Sequence, residues 1–353
     1  MPSEEKTIAE MTCPVPLLAK DMVLLGHGSG GKLSAELIRE VFLPALRNPI
    51  LSRLDDQAVV NVNGCRLAFS TDSFVVKPLF FPGGDIGSLA VHGTVNDLAM
   101  GGARPLFLSA AFIIEEGLPM DVLRRVVTSM RQAAAEAGVP VVTGDTKVVE
   151  KGSGDQLFIN TTGIGLVPDG IDLSADRARA GDKVLLSGSI GEHGIAILAE
   201  REGLEFESAV RSDSAALHTL VADMLQVTIA IRCMRDPTRG GLSSALNEIA
   251  VQSQVGIELQ EQAITLREEV RGACEMLGLD PLYVANEGKL IAIVEASAAD
   301  TLLEAMRRHP LGRQARIIGT VTAQNQGLVT MRTTLGTTRI VDMLAGDQLP
   351  RIC

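Results

Sequence analysis

Two series of alternating strand-like and helix-like segments run along this chain, separated by a charged, turn-rich stretch at 168–182. In the first series, short apolar runs predict strands at Leu67–Phe69, Pro105–Ile114, Val139–Val142 and Leu157–Val167, with helices at Ile86–Met100 and Met120–Ala137. Gly101, Gly102 and Gly138 fall just past those helices, where a left-handed cap is wanted. The second series predicts strands at Lys183–Ser187, Leu290–Val294 and Ile317–Val321. Its helices are expected at Gly194–Arg201, Ser214–Val227, Gly241–Gln254 and Ala298–Arg308. Such alternation points to α/β layers, and 353 residues are more than one core usually serves. The expected organisation is an extension (1–21), two α/β domains (22–170 and 171–341) and a mobile tail (342–353).

Composition narrows the function classes. The chain is 46% hydrophobic with 35 glycines but only 3% aromatic, which suits an aliphatic interior with many tight turns. A net charge of −11 argues against a nucleic-acid partner. An anionic ligand would have to be met locally, by a metal ion or by backbone amides. No apolar run is long enough to cross a bilayer and the first residues do not read as a signal peptide, so a cytoplasmic protein is expected. The five cysteines are scattered without metal-binding spacing. Cys65, Cys233 and Cys274 read as core or near-core residues, and Cys13 as incidental. Cys353 closes the run Pro350-Arg351-Ile352-Cys353. A thiol there can be loaded at one place and processed at another; an incidental cysteine on a loose tail is the alternative.

Five clusters carry candidate chemistry. His27-Gly28-Ser29-Gly30-Gly31-Lys32 precedes a helix, and such turns can present amides to a phosphate, although the P-loop spacing is absent. Asp56, Asp72 and Asp145 lie near element ends, and Asp97 falls in the last turn of its helix, where the dipole disfavours a carboxylate unless a cation or donor compensates. Converging carboxylates without histidines, together with Lys147, suit Mg²⁺ carrying nucleotide phosphates; the preference of aspartate for turns and caps is the competing explanation. Phe80-Phe81-Pro82-Gly83-Gly84-Asp85 is read as a turn placing amide donors beside the aspartates. In Arg235-Asp236-Pro237-Thr238-Arg239-Gly240-Gly241, Arg239 can clamp an anion. Glu287, in Asn286-Glu287-Gly288-Lys289, is a candidate general base or a solvated loop acid.

Taken together, HGSGGK, STDSFVV, PLFFPGGDIGSLAVHGTVNDLAMGGA, VTGDTKVVEKG, INTTGIG, RDPTRGG, NEGKL and the closing PRIC resemble the HypE hydrogenase-maturation family. That family is a branch of the PurM-like (aminoimidazole ribonucleotide synthetase) superfamily, and the resemblance runs from about Val23 to Cys353. It implies a two-domain PurM-like fold in which the N-terminal domain forms a β-barrel across a homodimer. It also implies an ATP- and Mg²⁺-dependent carbamoyl dehydratase that turns a thiocarbamate on Cys353 into a thiocyanate, the source of hydrogenase cyanide ligands. The carbamoyltransferase HypF and the HypC–HypD complex are the implied partners. Carried onto this sequence, Cys353, Lys147 and Glu287 would be catalytic, and Asp56, Asp72, Asp97 and Asp145 would hold metal. His27, Gly28, Gly30, Gly31, Asp97, Thr143, Gly144 and Arg239 would contact nucleotide. The rivals are another PurM-like enzyme acting on a small molecule and a non-enzymatic carrier.

Overall fold

The computed structural model describes residues 22–204 and 210–346; the expected extension and Cys353 lie outside the described residues. Short helical turns come first, including α1 (Lys32–Leu37) and α2 (Leu43–Leu46). They are followed by β1 (Ala58–Val62), β2 (Cys65–Phe74), the small hairpin β3 (Phe80–Phe81) and β4 (Gly84–Asp85), and α3 (Ile86–Met100). Then come β5 (Arg104–Glu115), α4 (Met120–Ala137), β6 (Val141–Val149) and β7 (Leu157–Leu166). Five strands form one sheet in the order β1-β2-β7-β5-β6, antiparallel except where β6 joins β5.

The C-terminal half comprises β8 (Lys183–Leu186), α5 (Glu192–Glu202), α6 (His218–Val227), β9 (Ile231–Arg235), α7 (Gly241–Ser253) and β10 (Gly256–Gln260). It continues with α8 (Glu268–Leu277), β11 (Ile291–Val294), α9 (Ala299–Arg308), β12 (Arg316–Thr322), β13 (Val329–Arg332) and β14 (Thr338–Val341). Its seven-stranded sheet runs β14-β13-β10-β12-β8-β11-β9, and only β10 and β13 are parallel.

Helix α3 joins the halves. Twelve of its 15 residues are buried, because one side lies on β2 and β7 while the other meets α6 and β9. A helix buried on all sides has little use for a polar face. The halves therefore share apolar core: Leu98 and Met100 cluster with Leu185, Leu220, Met224 and Ile231. Asp85 starts the helix, accepting hydrogen bonds from the amides of Gly87 (2.7 Å) and Ser88 (3.1 Å).

Several expectations are corrected. Strand β6 extends to Val149, because residues 143–149 continue the parallel ladder with β5. Strands β1, β9, β10, β13 and β14 and helix α8 were not read from the sequence; β9 carries two arginines in five residues, which masks its apolar signal. Gly102 and Gly138 adopt the left-handed conformation, whereas Gly101 has φ −77° and is needed because a Cβ there would lie 2.5 Å from Gln57. Cys233 and Cys274 are buried, but Cys65 is exposed at the start of β2. Of the expected tail, Asp342 and Leu344 are bound to Lys32, and residues 347–353 lie outside the described residues.

Candidate active site

The acidic residues gather where the C-terminal sheet meets α3. Arg235, the last residue of β9, is the register partner of Ile291, the first of β11. Asp236 and Glu287 consequently leave this antiparallel pair at the same end. Asp97 lies in the last turn of α3, and Asp56 just before β1. The donor that the helix dipole demands is Ser70, whose hydroxyl lies 2.6 Å from Asp97 Oδ2 and 3.1 Å from the Asp56 carbonyl. Gly93, one turn before Asp97, lets the chain close up: a Cβ there would stand 2.8 Å from the Phe74 ring and 3.4 Å from Asp72 Oδ2.

These carboxyls feel one another. Burial pushes Asp97 well above the usual carboxylate range, and the charges of Asp72, Asp236 and Asp56 push it further. Asp236 is likewise raised by burial and then by Asp56. Burial raises Asp72 while Arg239 opposes it. Asp56 is raised to about 6 by burial, against the pull of Arg235, with which it forms a buried ion pair. Arg235 also donates to the Leu54 carbonyl at 2.6 Å. Burial, then Asp236 and Asp72, raise Glu287, whose Oε1 is buried without a hydrogen-bond partner. Mutual repulsion at buried positions marks an acidic cluster suited to a cation and to a proton-accepting group.

Among the described residues, no three His, Cys, Asp or Glu side chains converge as a ready cage for an ion. Mg²⁺ needs only one or two carboxylates when substrate phosphates and water complete its shell. The unpartnered, buried Asp56 Oδ2 beside Asp72 and Asp97 fits that use.

Asp145 does not join this set within one chain. Register runs from Asp72 through Thr161 and Ala110 to Gly144, so β6 lies three strand spacings, about 14 Å, from β2. Asp145 follows Gly144 and faces the opposite side of the sheet. It pairs with Lys147 at 2.7 Å, the two side chains being 63% and 68% exposed. The Lys147 hydrogen bond, with the Thr146 amide, holds Asp145 below its usual range. Thr143 and Gly144 share this exposed edge, beside a groove of about 940 Å³ between β6 and α4.

The glycine-rich turn also differs from expectation. The Gly30 amide donates to Ser34 Oγ (2.9 Å) and the Lys32 amide to the Leu344 carbonyl (2.8 Å), so neither is offered to a phosphate. His27 Nδ1 accepts from the Leu24 amide at 2.9 Å. Gly28 does approach the pocket, its carbonyl accepting from Arg239 Nη1 at 3.3 Å. The Pro82–Gly84 turn packs on Ser212, at the far end of α3 from Asp97, about 18 Å along the helix.

The turn bearing Glu287 is held from below. Asp213 Oδ1 accepts from the Glu287 amide (3.1 Å), and its Oδ2 accepts from Gly288 (3.2 Å) and Lys289 Nζ (2.9 Å). Asn96 on α3 donates to the Glu287 carbonyl at 3.3 Å. Sequence reasoning missed Asp213, Ser70, Arg235 and Asp236. Ser70, Arg235 and Asp236 lie inside motifs quoted above but were given no role there, and Asp213 carried no signal.

Comparison with known proteins identifies the fold and the family. Residues 54–167 match the N-terminal domain of AIR synthase related proteins, and residues 179–332 match the C-terminal domain. The chain is 62% identical to carbamoyl dehydratase HypE of Azotobacter vinelandii, covering 95% of this chain and 98% of the relative. It is 47% identical to carbamoyl dehydratase HypE of Escherichia coli K12, over 94% and 99% of the two chains. Among solved structures, the HypE–HypF complex superposes with a TM-score of 0.83 at 50% identity, covering 87% of this chain and 99% of that one. HypE in complex with ATP gives 0.79 at 54% identity, over 94% and 100%. The buried acidic pocket thus sits in a two-domain AIR synthase-related fold, and the chain belongs to the HypE carbamoyl dehydratase family of hydrogenase maturation.

Proposed function

We propose that this enzyme uses ATP to dehydrate a carbamoyl group carried as a thiocarbamate on Cys353, leaving a thiocyanate for the iron of nickel–iron hydrogenase. The observation that carries the reading is Glu287, a fully buried carboxyl with an unpartnered oxygen beside Asp72 and Asp236. The carbamoyl oxygen is a poor leaving group. Its attack on the γ-phosphorus of ATP releases ADP, and the nitrogen gives up one proton. Loss of phosphate and of the second nitrogen proton then leaves C≡N on sulfur. Glu287 takes the nitrogen proton, and burial raises the affinity of its carboxyl for that proton. Arg239, whose charge reaches Asp72 and Glu287, steadies the phosphate. Mg²⁺ would be held by one or two of the carboxylates Asp56, Asp72, Asp97 and Asp236, with phosphate oxygens and water completing its shell, and would neutralise charge on the transferred phosphoryl group.

Lys147 and Asp145 serve the site of a second copy, which makes the working unit a homodimer. Support comes from the outer face of the five-stranded sheet. There Phe69, Ile164 and Phe107 are register partners in one row and are 45%, 38% and 47% exposed. Such a row asks for a partner surface. Closing the sheet into a barrel across two copies would cover the row and carry β6 to the neighbour's pocket. HypF would supply the carbamoyl group, by analogy with the solved HypE–HypF complex, and HypC–HypD would receive the product. We place the reaction in the cytoplasm, where thiols such as Cys233 and Cys274 stay free. Among the described residues no helix is long and apolar enough to cross a membrane.

Intact mass after incubation with HypF, carbamoyl phosphate and Mg-ATP tests the proposal. A carbamoyl adduct that becomes a cyano adduct, and is absent from Cys353→Ala, is expected. ATP turnover without an adduct on Cys353 would favour a small-molecule substrate.

A further inference from the structure

The glycine-rich turn at residues 26–32 is the motif that the pocket does not absorb, and it grips the C-terminal segment instead. Beyond β14 the chain is held at successive residues. Asn247 Nδ2 donates to the Val341 carbonyl (2.9 Å) and Ser243 Oγ to the Asp342 carbonyl (2.6 Å). Among the described residues, Lys32 holds the segment twice: its amide donates to the Leu344 carbonyl at 2.8 Å, and its Nζ pairs with Asp342 Oδ2 at 2.6 Å. The paired side chains are only 15% and 28% exposed. The approach depends on Gly31, since a Cβ there would lie 2.2 Å from the Leu344 oxygen.

The other side of the same turn abuts the acidic pocket. A Cβ on Gly30 would stand 2.5 Å from the Arg239 carbonyl, and one on Gly240 would stand 2.8 Å from the Gly30 carbonyl. One short turn therefore touches both the stem of the C-terminal segment and the loop that follows Asp236.

We propose that Lys32 is a positioning residue that clamps this stem at Asp342–Leu344 and so sets the point from which Cys353 reaches the pocket. The inference rests on the reading of Cys353 as the carrier. From Leu344 to Cys353 the chain spans at most about 30 Å; freed back to Val341, it would span about 40 Å. Lengthening a tether by that ratio lowers its effective concentration about 1.5-fold, and losing the fixed direction in which the stem leaves Lys32 adds to that.

The test uses full-length protein carrying Cys13→Ser and Cys65→Ser, carbamoylated on Cys353 by brief treatment with cyanate, mixed with saturating Mg-ATP and followed by intact mass in a single turnover. Lys32→Ala and Asp342→Ala should each slow appearance of the cyano adduct threefold or more while leaving ATP affinity, measured by calorimetry, unchanged. The exchanged pair, Lys32→Asp with Asp342→Lys, should recover most of the rate. A slowing of less than threefold, a parallel loss of ATP affinity, or no recovery in the exchanged pair would each overturn the clamp. Hydrogen exchange reads the clamp independently of chemistry. The amides of Lys32 and Met343 should exchange at least tenfold faster in Lys32→Ala, and unchanged exchange would overturn it. Absence of a cyano adduct in the parent would instead refute the carrier reading, while the exchange result would still decide the clamp.

Discussion

Replacing Asp213 by asparagine should reveal how the base is held. Asp213 and Lys289 form a pair whose side chains are 5% and 13% exposed, and Asp213 also accepts the amides of Glu287 and Gly288. Asp213→Asn keeps the shape and one acceptor but strands a buried ammonium, which costs about 3–5 kcal/mol. Lys289→Met leaves the carboxylate its two amide donors and should cost less, about 1–3 kcal/mol. The double variant removes the stranded charge, so its loss should fall about 2 kcal/mol short of the sum. Urea unfolding of all four proteins at pH 7 measures this coupling. A value below about 0.5 kcal/mol, as for exposed pairs, would refute the argument.

The same variant carries two signs in pH. Burial alone would raise Asp213, but Lys289 and then His193 outweigh it and hold the carboxyl below its usual value. A depressed carboxylate contributes stability above its unfolded value of about 3.9, lost as pH falls through the folded value. The gap between parent and Asp213→Asn should therefore close below about pH 4. Glu287 is raised by burial and then by Asp236, Asp72 and Asp213. Removing the Asp213 charge should move the acid limb of the rate profile to lower pH, because the base then loses its proton earlier. An unmoved limb would separate Glu287 from the rate.

Three further outcomes are expected. Asp97→Asn relieves a buried carboxylate whose neighbours are acids, so it should stabilise the ligand-free protein by about 0.5–2 kcal/mol while weakening stabilisation by Mg-ATP in thermal melts. Phe107→Asp, at the end of the exposed apolar row, should shift sedimentation from dimer to monomer without unfolding the chain. Lys147→Met removes an exposed charge and should leave the melting temperature unchanged, yet slow cyano-adduct formation about 10²-fold. Unaltered turnover would return Lys147 to an ordinary surface pair with Asp145.

Much of this protein is legible in its sequence because the relevant signals are local. Helix α3 announces itself by a largely apolar segment that Asp85 can cap and Gly102 can end. Asp97 at the end of that helix demanded a compensating donor, but which group answers was settled only when β2 brought Ser70 across the sheet. The strand ending at Arg235 was invisible because two arginines occupy it, one of them neutralised by Asp56, 179 residues earlier in the chain. Without that strand, Asp236 could not be placed beside Glu287.

The sequence alone determined which residues have the chemistry: acids without histidines, a lysine, a base in a glycine-bounded turn and a thiol on the last residue. Only the tertiary structure decided which of them meet. Strand register put Asp145 and Lys147 about 14 Å from β2 and on the opposite face of the sheet from Asp72. Close packing set Gly30 against Arg239 and Gly31 against Leu344, and bound the Gly30 amide to Ser34. Residue type fixes what a group can do through bonding confined to that residue. Its neighbours are fixed by packing and hydrogen bonds between segments hundreds of positions apart, and no local pattern records those.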